Sequence, residues 1–485
     1  GETCPPPTMD DNAADPASHP SYDSIETNRA QQKASPFSKN TENQREGGDY
    51  HEYVDCEYVD AGTDSLQTFL HLVKGYIGPG CLALPWAFSI LGIGWGIAAV
   101  LIVGALTSYN ALVLVHLKNS ECRSHRASYS DIGEAGYGLG FRSFVDVSVI
   151  SIQLAVCTVF LTLVGENVSA VLLQYFEPED GSFFYYVVSR RGVMTFVALP
   201  SALGLSAIPN LTILATATAI ATVLLFLTFT IMGVIIALNW DVEATHVDHE
   251  FSEVILAVAA IMYSWEGDQL ILPVETAMEN PGRFQYVFLG AMTTVAVVFT
   301  LFATACSVSF GDVDNGSVTA FLMHHADAYS GAGLVYAANF AASLSILLTY
   351  PLQLFPATVI TGQIVARRRA QQALPDKDVV VPPATRPYSG LEGDSFPLRA
   401  CLVLSTYALA MWIPHVQEMI SLAGAVSGAA TSLIIPPLLQ IRFAEMRAIR
   451  ILSFTLLVIG VLFGIFGTLS AVEEIIENNA AGRSS

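Results

Sequence analysis

Eleven apolar stretches separated by short polar connections run through most of the chain. They lie near 66–92, 95–117, 143–174, 192–208, 211–239, 253–278, 285–310, 333–366, 398–413, 415–441 and 450–471. Each is long enough, or nearly so, to cross about 30 Å of hydrocarbon as a helix. Two of them are interrupted. The first carries three glycines and a proline within Gly75-Tyr76-Ile77-Gly78-Pro79-Gly80, just after His71 and Lys74. The sixth turns polar mid-span, at Ser264-Trp265-Glu266-Gly267-Asp268-Gln269. Irregular backbone at membrane depth is tolerated only where protein or a water-filled cavity satisfies it. Paired interruptions in corresponding halves point to a transporter's binding site. Five spans separate the two starts, and the first runs outward while the sixth runs inward. The pattern predicts an all-α polytopic membrane protein of about 11 transmembrane helices, a 5+5 inverted repeat with discontinuous helices 1 and 6 and an extra eleventh helix.

Composition agrees. Hydrophobic residues make up 52% and charged residues 13% of the 485, against about 25% charged in soluble domains. The first long apolar stretch begins near Leu66, too far along to read as a cleavable signal peptide. The formal net charge of −21 comes largely from acidic loops and from residues 1–64. That segment is rich in Asp, Glu, Ser, Asn and Pro and reads as a disordered cytosolic tail. Its duplicated Glu52-Tyr53-Val54-Asp55 and Glu57-Tyr58-Val59-Asp60 reads as linker or as a kinase or sorting signal. Residues 65–472 form the transporter domain, with a cytosolic loop at 367–397 that is rich enough in Arg to touch anionic lipid. Residues 473–485 are read as a short non-cytosolic tail. No basic, aromatic-interleaved segment suggests nucleic acid, no nucleotide-binding glycine loop suggests ATP, and the seven cysteines form neither a metal cluster nor a disulfide framework.

Basic residues set the orientation. Lys118, Arg123, Arg126, Arg142, Arg283, Arg367 to Arg369, Lys377, Arg386, Arg399, Arg442, Arg447 and Arg450 fall on one side, and Arg190, Arg191 and Arg483 on the other. The positive-inside rule places the first set and the N-terminus in the cytosol. Arg190-Arg191 is an exception to that rule. Asn315-Gly316-Ser317 lies in the longest outer loop and is a glycosylation candidate.

The two breaks suit a zwitterion. A half-helix N-terminus, here Gly78 to Leu82, presents free N–H groups and a partial positive charge to a carboxylate, although Pro79 removes one donor. Free carbonyls at the opposing ends suit an ammonium or a cation. Glycine at 75, 78 and 80 admits a ligand to the backbone, and Tyr76 and Trp265 wall a side-chain pocket. Gly75, Tyr76, Ile77, Gly78, Gly80, Ser264, Trp265, Glu266 and Gly267 are therefore the substrate-binding candidates. The competing reading gives these glycines to close helix packing.

These residues resemble the amino acid/auxin permease family, most closely its proton-coupled amino acid transporter branch. The resemblance rests on Leu66 to Gly80 with Leu84-Pro85, and on Trp265-Glu266-Gly267 with Leu272-Pro273-Val274-Glu275 and Asn280-Pro281-Gly282-Arg283-Phe284. Tyr350 to Ala357, and Ser421 to Gly428 with Ile435-Pro436-Pro437, complete the set. It covers roughly 66–471. It implies two inverted five-helix repeats, alternating access, amino acid substrates and proton or sodium coupling. His71 matches a first-helix histidine implicated in proton coupling in that branch. Pro79, Tyr76 and Trp265 stand where the branch usually has Thr, Asn and Phe.

Histidine is a side chain suited to proton exchange, which singles out His71, and Glu275 lies on the inner half of the sixth span. Intramembrane carboxylates are functional candidates by default, so His71 and Glu275 are the proton-coupling candidates. The alternative makes His71 a packing residue and pairs Glu275 permanently, with Lys74 as the partner. Ser345 and Thr349, with Ser343, supply the hydroxyls of a sodium site in the less favoured reading. Asp146 and Glu166 lie near opposite ends of the third span. The chain reads as a secondary active transporter of amino acids, small or neutral, by proton symport. It is not an enzyme and needs no cofactor beyond the coupling ion. Sodium coupling, or an amino acid sensor signalling through the tail, are the alternatives. The plasma membrane and a vacuolar or lysosomal membrane both suit it.

Overall fold

A capping box starts the first helix. Asp64 accepts the Gln67 amide at 2.7 Å, and the Gln67 side chain accepts the Asp64 amide at 3.3 Å. This satisfies two of the donors that a helix start leaves open. The computed structural model describes residues 63–122, 127–176, 178–179, 181–208, 211–240, 250–326, 328–373, 396–413 and 415–484. The tail tyrosines at 53 and 58, Arg123, Arg126 and most of the 367–397 loop lie outside the described residues.

Helix α1 (Ser65–Tyr76) is followed by a 3-10 turn (Pro79–Ala83) and by α2 (Leu84–Glu121), which reverses at Gly92. Gly92 has φ 72°, a conformation that glycine adopts without the steric cost a Cβ imposes. It separates the first and second spans where the sequence places a short loop. Next come α3 (Tyr129–Tyr137) and α4 (Leu139–Phe176). The fourth span is fragmented into α5 (Phe183–Val188), α6 (Arg190–Val193), a π turn (Met194–Ala198) and α7 (Leu199–Ser206). Helix α8 (Leu211–Leu238) precedes the divided sixth span, α9 (Phe251–Ser264) and α10 (Asp268–Ala277). The seventh and eighth spans are α11 (Phe284–Phe310) and α13 (Ala332–Ala373), with the short α12 (Val318–His324) between them. Helix α14 (Phe396–Trp412) is the ninth span. The tenth is α15 (Val416–Leu422), a π segment (Ala423–Ile434) and α16 (Ile435–Phe443), and α17 (Arg447–Ser484) is the last.

Among the described residues, eight helical segments are long and apolar enough to cross a membrane, and Phe396–Trp412 is a shorter apolar helix. The sequence reading counts eleven because it takes the interrupted first span and the fragmented fourth span as single crossings. Strand pairing among the described residues is one isolated bridge, Thr63 to Met278. The chain is an all-α polytopic membrane protein. Two boundaries differ from expectation. Helix α13 continues through Ala373 and includes Arg367 to Arg369, and α17 carries residues 473–484 as helix where a tail was read.

Helix α13 packs lengthwise on α8 and α4, α11 packs on α2, and α17 packs on the π segment. The π segment lies close against α9. A Cβ on Gly424 would fall 2.0 Å from the Ala259 carbonyl oxygen, so this contact admits only glycine. Small residues at such crossings let backbones approach in a bilayer, where no hydrophobic force drives helices together.

Candidate substrate site

The two breaks meet. At the first, Ile77 N donates to Val73 O at 2.9 Å, Gly78 N donates to Tyr76 O at 3.0 Å, and Cys81 N donates to Gly78 O at 3.2 Å. At the second, Trp265 closes α9, Gly267 is extended with φ −173°, and α10 begins at Asp268. Ser264 Oγ lies 3.0 Å from both Gly80 O and Ala260 O, so one hydroxyl ties the two breaks together. Ser264→Ala is expected to leave Gly80 O without that partner and to cost about 1 kcal/mol, read as a lowered Tm of the purified protein.

The glycines divide by role. A Cβ on Gly75 would meet Leu270 Cδ1 at 2.8 Å, and one on Gly80 would meet Tyr263 Cε1 at 3.0 Å, so these two serve helix packing. A Cβ on Gly78 would meet nothing within 4 Å. Of the three candidate glycines in the first break, Gly78 is the one with open space beside its backbone. Gly267 lies under the Tyr76 ring, whose Cζ would be 2.7 Å from a Cβ there. Tyr76 and Trp265 meet edge to face with centroids 6.3 Å apart, and Trp265 continues to Phe299 at 5.3 Å. Trp265 also covers Gly104, where a Cβ would fall 2.4 Å from its Cζ2. Tyr76, Ile77 and Trp265 are all buried.

Two carboxylates converge here. Glu266 Oε1 accepts from Gln269 Nε2 at 2.6 Å and from Thr431 Oγ1 at 3.4 Å, while Oε2 is buried without a partner. Oε2 lies beside Gly428, 3.4 Å from where a Cβ would stand. Asp268 is 1% exposed. Its Oδ1 accepts from Tyr76 Oη at 3.4 Å, and its Oδ2 is buried without a partner. Among the described residues neither carboxylate forms an ion pair. Thr431 belongs to the twelve-residue π segment. Tyr129 Oη donates to Thr431 O at 2.6 Å, and Asn110 Nδ2 donates to Ser432 O at 2.7 Å, which anchors the segment to α3 and α2. π distortions are frequent at functional sites.

Asp268, Gln269 and Thr431 are absent from the sequence-derived site. Asp268 had the same signal as Glu266, a charge within an interrupted span. Thr431 had none, since nothing local marks a threonine on a distant span as a neighbour of the break.

His71 and Glu275 are not brought together. His71 is exposed on α1 and makes no hydrogen bond among the described residues. Glu275 is fully buried and ion-paired, to Lys118 at the end of α2 rather than to Lys74, with Asn119 Nδ2 donating to its Oε1 at 3.1 Å. Lys118 was read as a loop cation, but it is 1% exposed. Ser345 Oγ donates to Ala221 O on α8 at 2.6 Å, and Thr349 Oγ1 donates to Ser345 O at 2.8 Å. Both hydroxyl protons are therefore spent on backbone, and Ser345 faces α8 rather than the first break. Ser343 Oγ is buried without a partner.

Toward the C-terminal end of α4, Glu166 accepts the Val416 amide at 3.1 Å and lies 3.9 Å from Arg190, which donates to Ile413 O at 2.9 Å. Arg190 thus breaks the positive-inside pattern because it serves a buried carboxylate and the end of α14. No contact of Arg191 accounts for its own place there. Asn315 is half-buried and its Oδ1 accepts the Ser317 amide at 2.8 Å. Asp146 is buried and accepts from Ser130.

Comparison with known proteins follows this geometry. The family described as transmembrane amino acid transporter protein matches residues 61–473. Amino acid transporter AVT3B of Arabidopsis thaliana is 26% identical over 427 residues, covering 86% of this chain and 94% of the relative. Vacuolar amino acid transporter 4 of Saccharomyces cerevisiae is 24% identical over 398 residues, covering 78% of this chain and 53% of the relative. Among solved structures, a manganese transporter of Eremococcus coleocola aligns with a TM-score of 0.41 and 12% identity, over 84% of this chain and 86% of that one.

Proposed function

This chain belongs to the transmembrane amino acid transporter family, the amino acid/auxin permeases, and on that premise we propose that it moves small neutral amino acids by proton symport. The observation that carries this reading is the meeting of the two breaks around buried carboxylates without cation partners. A buried unpaired charge is costly, so the site calls for positive charge from its cargo. A substrate ammonium supplies one such charge and a proton the other. The open backbone beside Gly78 admits the substrate carboxylate, although the Gly78 and Cys81 amides are already donated to Tyr76 O and Gly78 O and Pro79 has no N–H. Glu275 takes no part in proton transfer, because Lys118 already neutralises it. His71, exposed on α1, stays a candidate for proton exchange.

The membrane is that of an acidic organelle. The support is the yeast relative, whose name describes it as vacuolar. A proton symporter there exports amino acids to the cytosol, on the side where the basic loops and the N-terminus are placed. The sodium alternative is weaker, since Ser345 faces α8 rather than the first break.

The test is uptake of labelled alanine, glycine and proline into proteoliposomes, with pH and sodium gradients imposed separately. Accumulation driven by pH alone is expected. Accumulation that requires sodium would overturn the coupling, and binding without flux would favour a sensor.

A further inference from the structure

We propose that Asp268 carries the transported proton and that Glu266 beside it receives the substrate ammonium. The proposal rests on the proton-symport reading above and deepens it.

The two carboxylates differ in access. Glu266 as a residue is partly exposed; its Oε1 is held by Gln269 and Thr431, and its Oε2, itself buried, has no hydrogen-bond partner and stands beside the bare backbone of Gly428. Asp268 is 1% exposed and begins α10 beneath the Tyr76 ring. Its Oδ2 is buried and has no hydrogen-bond partner. A buried carboxylate that stays ionised without a partner costs several kcal/mol per ion, and a proton on Oδ2 removes that cost. The Tyr76 hydroxyl can stay on Oδ1 in both states, so gaining or losing the proton leaves the break bridged.

The neighbouring charges leave this role open. Lys118, on α2, is taken by Glu275 at the other end of α10. On α1, His71 and Lys74 are exposed rather than turned into the site. The groups that face Asp268 are the Tyr76 hydroxyl from α1, the Tyr129 hydroxyl from α3, the Ser432 hydroxyl from the π segment and the Glu266 carboxylate. None of these is a cation. Two carboxylates two residues apart, with no cation between them, each disfavour the other's ionised form. When the substrate ammonium occupies Glu266, Asp268 must bring a second charge of its own, which is the coupling. The proton enters Oδ2 from the side that supplies substrate. It leaves to water on the cytosolic side after the substrate has gone.

The experiment compares wild type, Asp268→Asn and Asp268→Glu in proteoliposomes, by pH-driven accumulation and by substrate counterflow without a gradient. For one proton per substrate, a pH step of about one unit supports about tenfold accumulation by the wild type. Asp268→Asn is expected to lose pH-driven accumulation, and Asp268→Glu, which keeps an ionisable group, to restore it. Accumulation by Asp268→Asn equal to wild type would overturn the proposal. So would a variant that loses lysine or arginine counterflow alone, since that would make Asp268 a ligand for a cationic side chain. If Asp268→Asn loses counterflow as well, Asp268→Glu decides. Coupled uptake by it supports the assignment, and uncoupled counterflow overturns it. A wild type that ignores the pH gradient refutes the symport reading itself, a result separable from any of these.

Discussion

Lys118→Met is expected to destabilise the protein by about 3–5 kcal/mol, because it leaves Glu275 charged, fully buried and alone. Lys118 closes on Glu275 and also donates to Thr276 Oγ1 at 2.8 Å, so one ammonium ties the end of α2 to the inner half of the sixth span. That half is tied a second time. Thr63 N donates to Ala277 O at 2.8 Å, and Glu279 N donates to Thr63 O at 3.1 Å, which joins the chain entering α1 to the end of α10. The double variant Lys118→Met with Glu275→Leu is expected to recover most of the loss. Replacing a buried ion pair by apolar side chains is often neutral or stabilising, whereas removing one partner is not. Thermal unfolding in detergent and the yield of monodisperse protein read both effects. A double variant as unstable as the single one would show that the cost lies elsewhere than in the orphaned carboxylate.

Gly267→Ala is expected to reduce transport on the order of 10²-fold, the scale at which small misplacements of reacting groups act. The backbone there is extended, φ −173°, and any residue adopts it, so the effect is steric. The new methyl would stand 2.7 Å from the Tyr76 Cζ and 2.8 Å from its Cε1. The ring is rigid and buried and is held between Trp265 and Asp268, so it must move. Moving it breaks the hydroxyl contact to Asp268 and shifts α1 against α10. Gly267→Ala combined with Tyr76→Ala removes the clash and is expected to recover substrate binding in part. Substrate-induced protection against thermal unfolding separates loss of binding from loss of turnover. Undiminished flux in Gly267→Ala would mean that the two breaks do not form one site.

Much of this was legible in the sequence, because it follows from strictly local signals. The apolar runs mark the spans, since a bilayer demands about 20 apolar residues per crossing. Glycine and proline mark the first break, and a carboxylate amid apolar neighbours marks the second. Their counterparts in the structure are the end of α1 at Tyr76 and the extended Gly267. The errors fall where partners come from distant spans. Lys74, on the interrupted first span, is the partner that the sequence offers Glu275, but Lys118 reaches it because α2 packs on α10. Ser345 and Thr349 carry suitable hydroxyls but lie on the face of α13 that meets α8.

The sequence by itself determined that this chain crosses a membrane many times and breaks two of its spans, because hydrophobic length and backbone interruption are properties of contiguous residues. Only the tertiary structure decided which carboxylates remain without a cation. That depends on the rotational phase of each helix, on the close approach allowed at Gly424 and Gly267, and on a π segment that brings Thr431 to Glu266. Helix phase and crossing distance are set by side chains packing across spans far apart in the chain, and no local pattern records them.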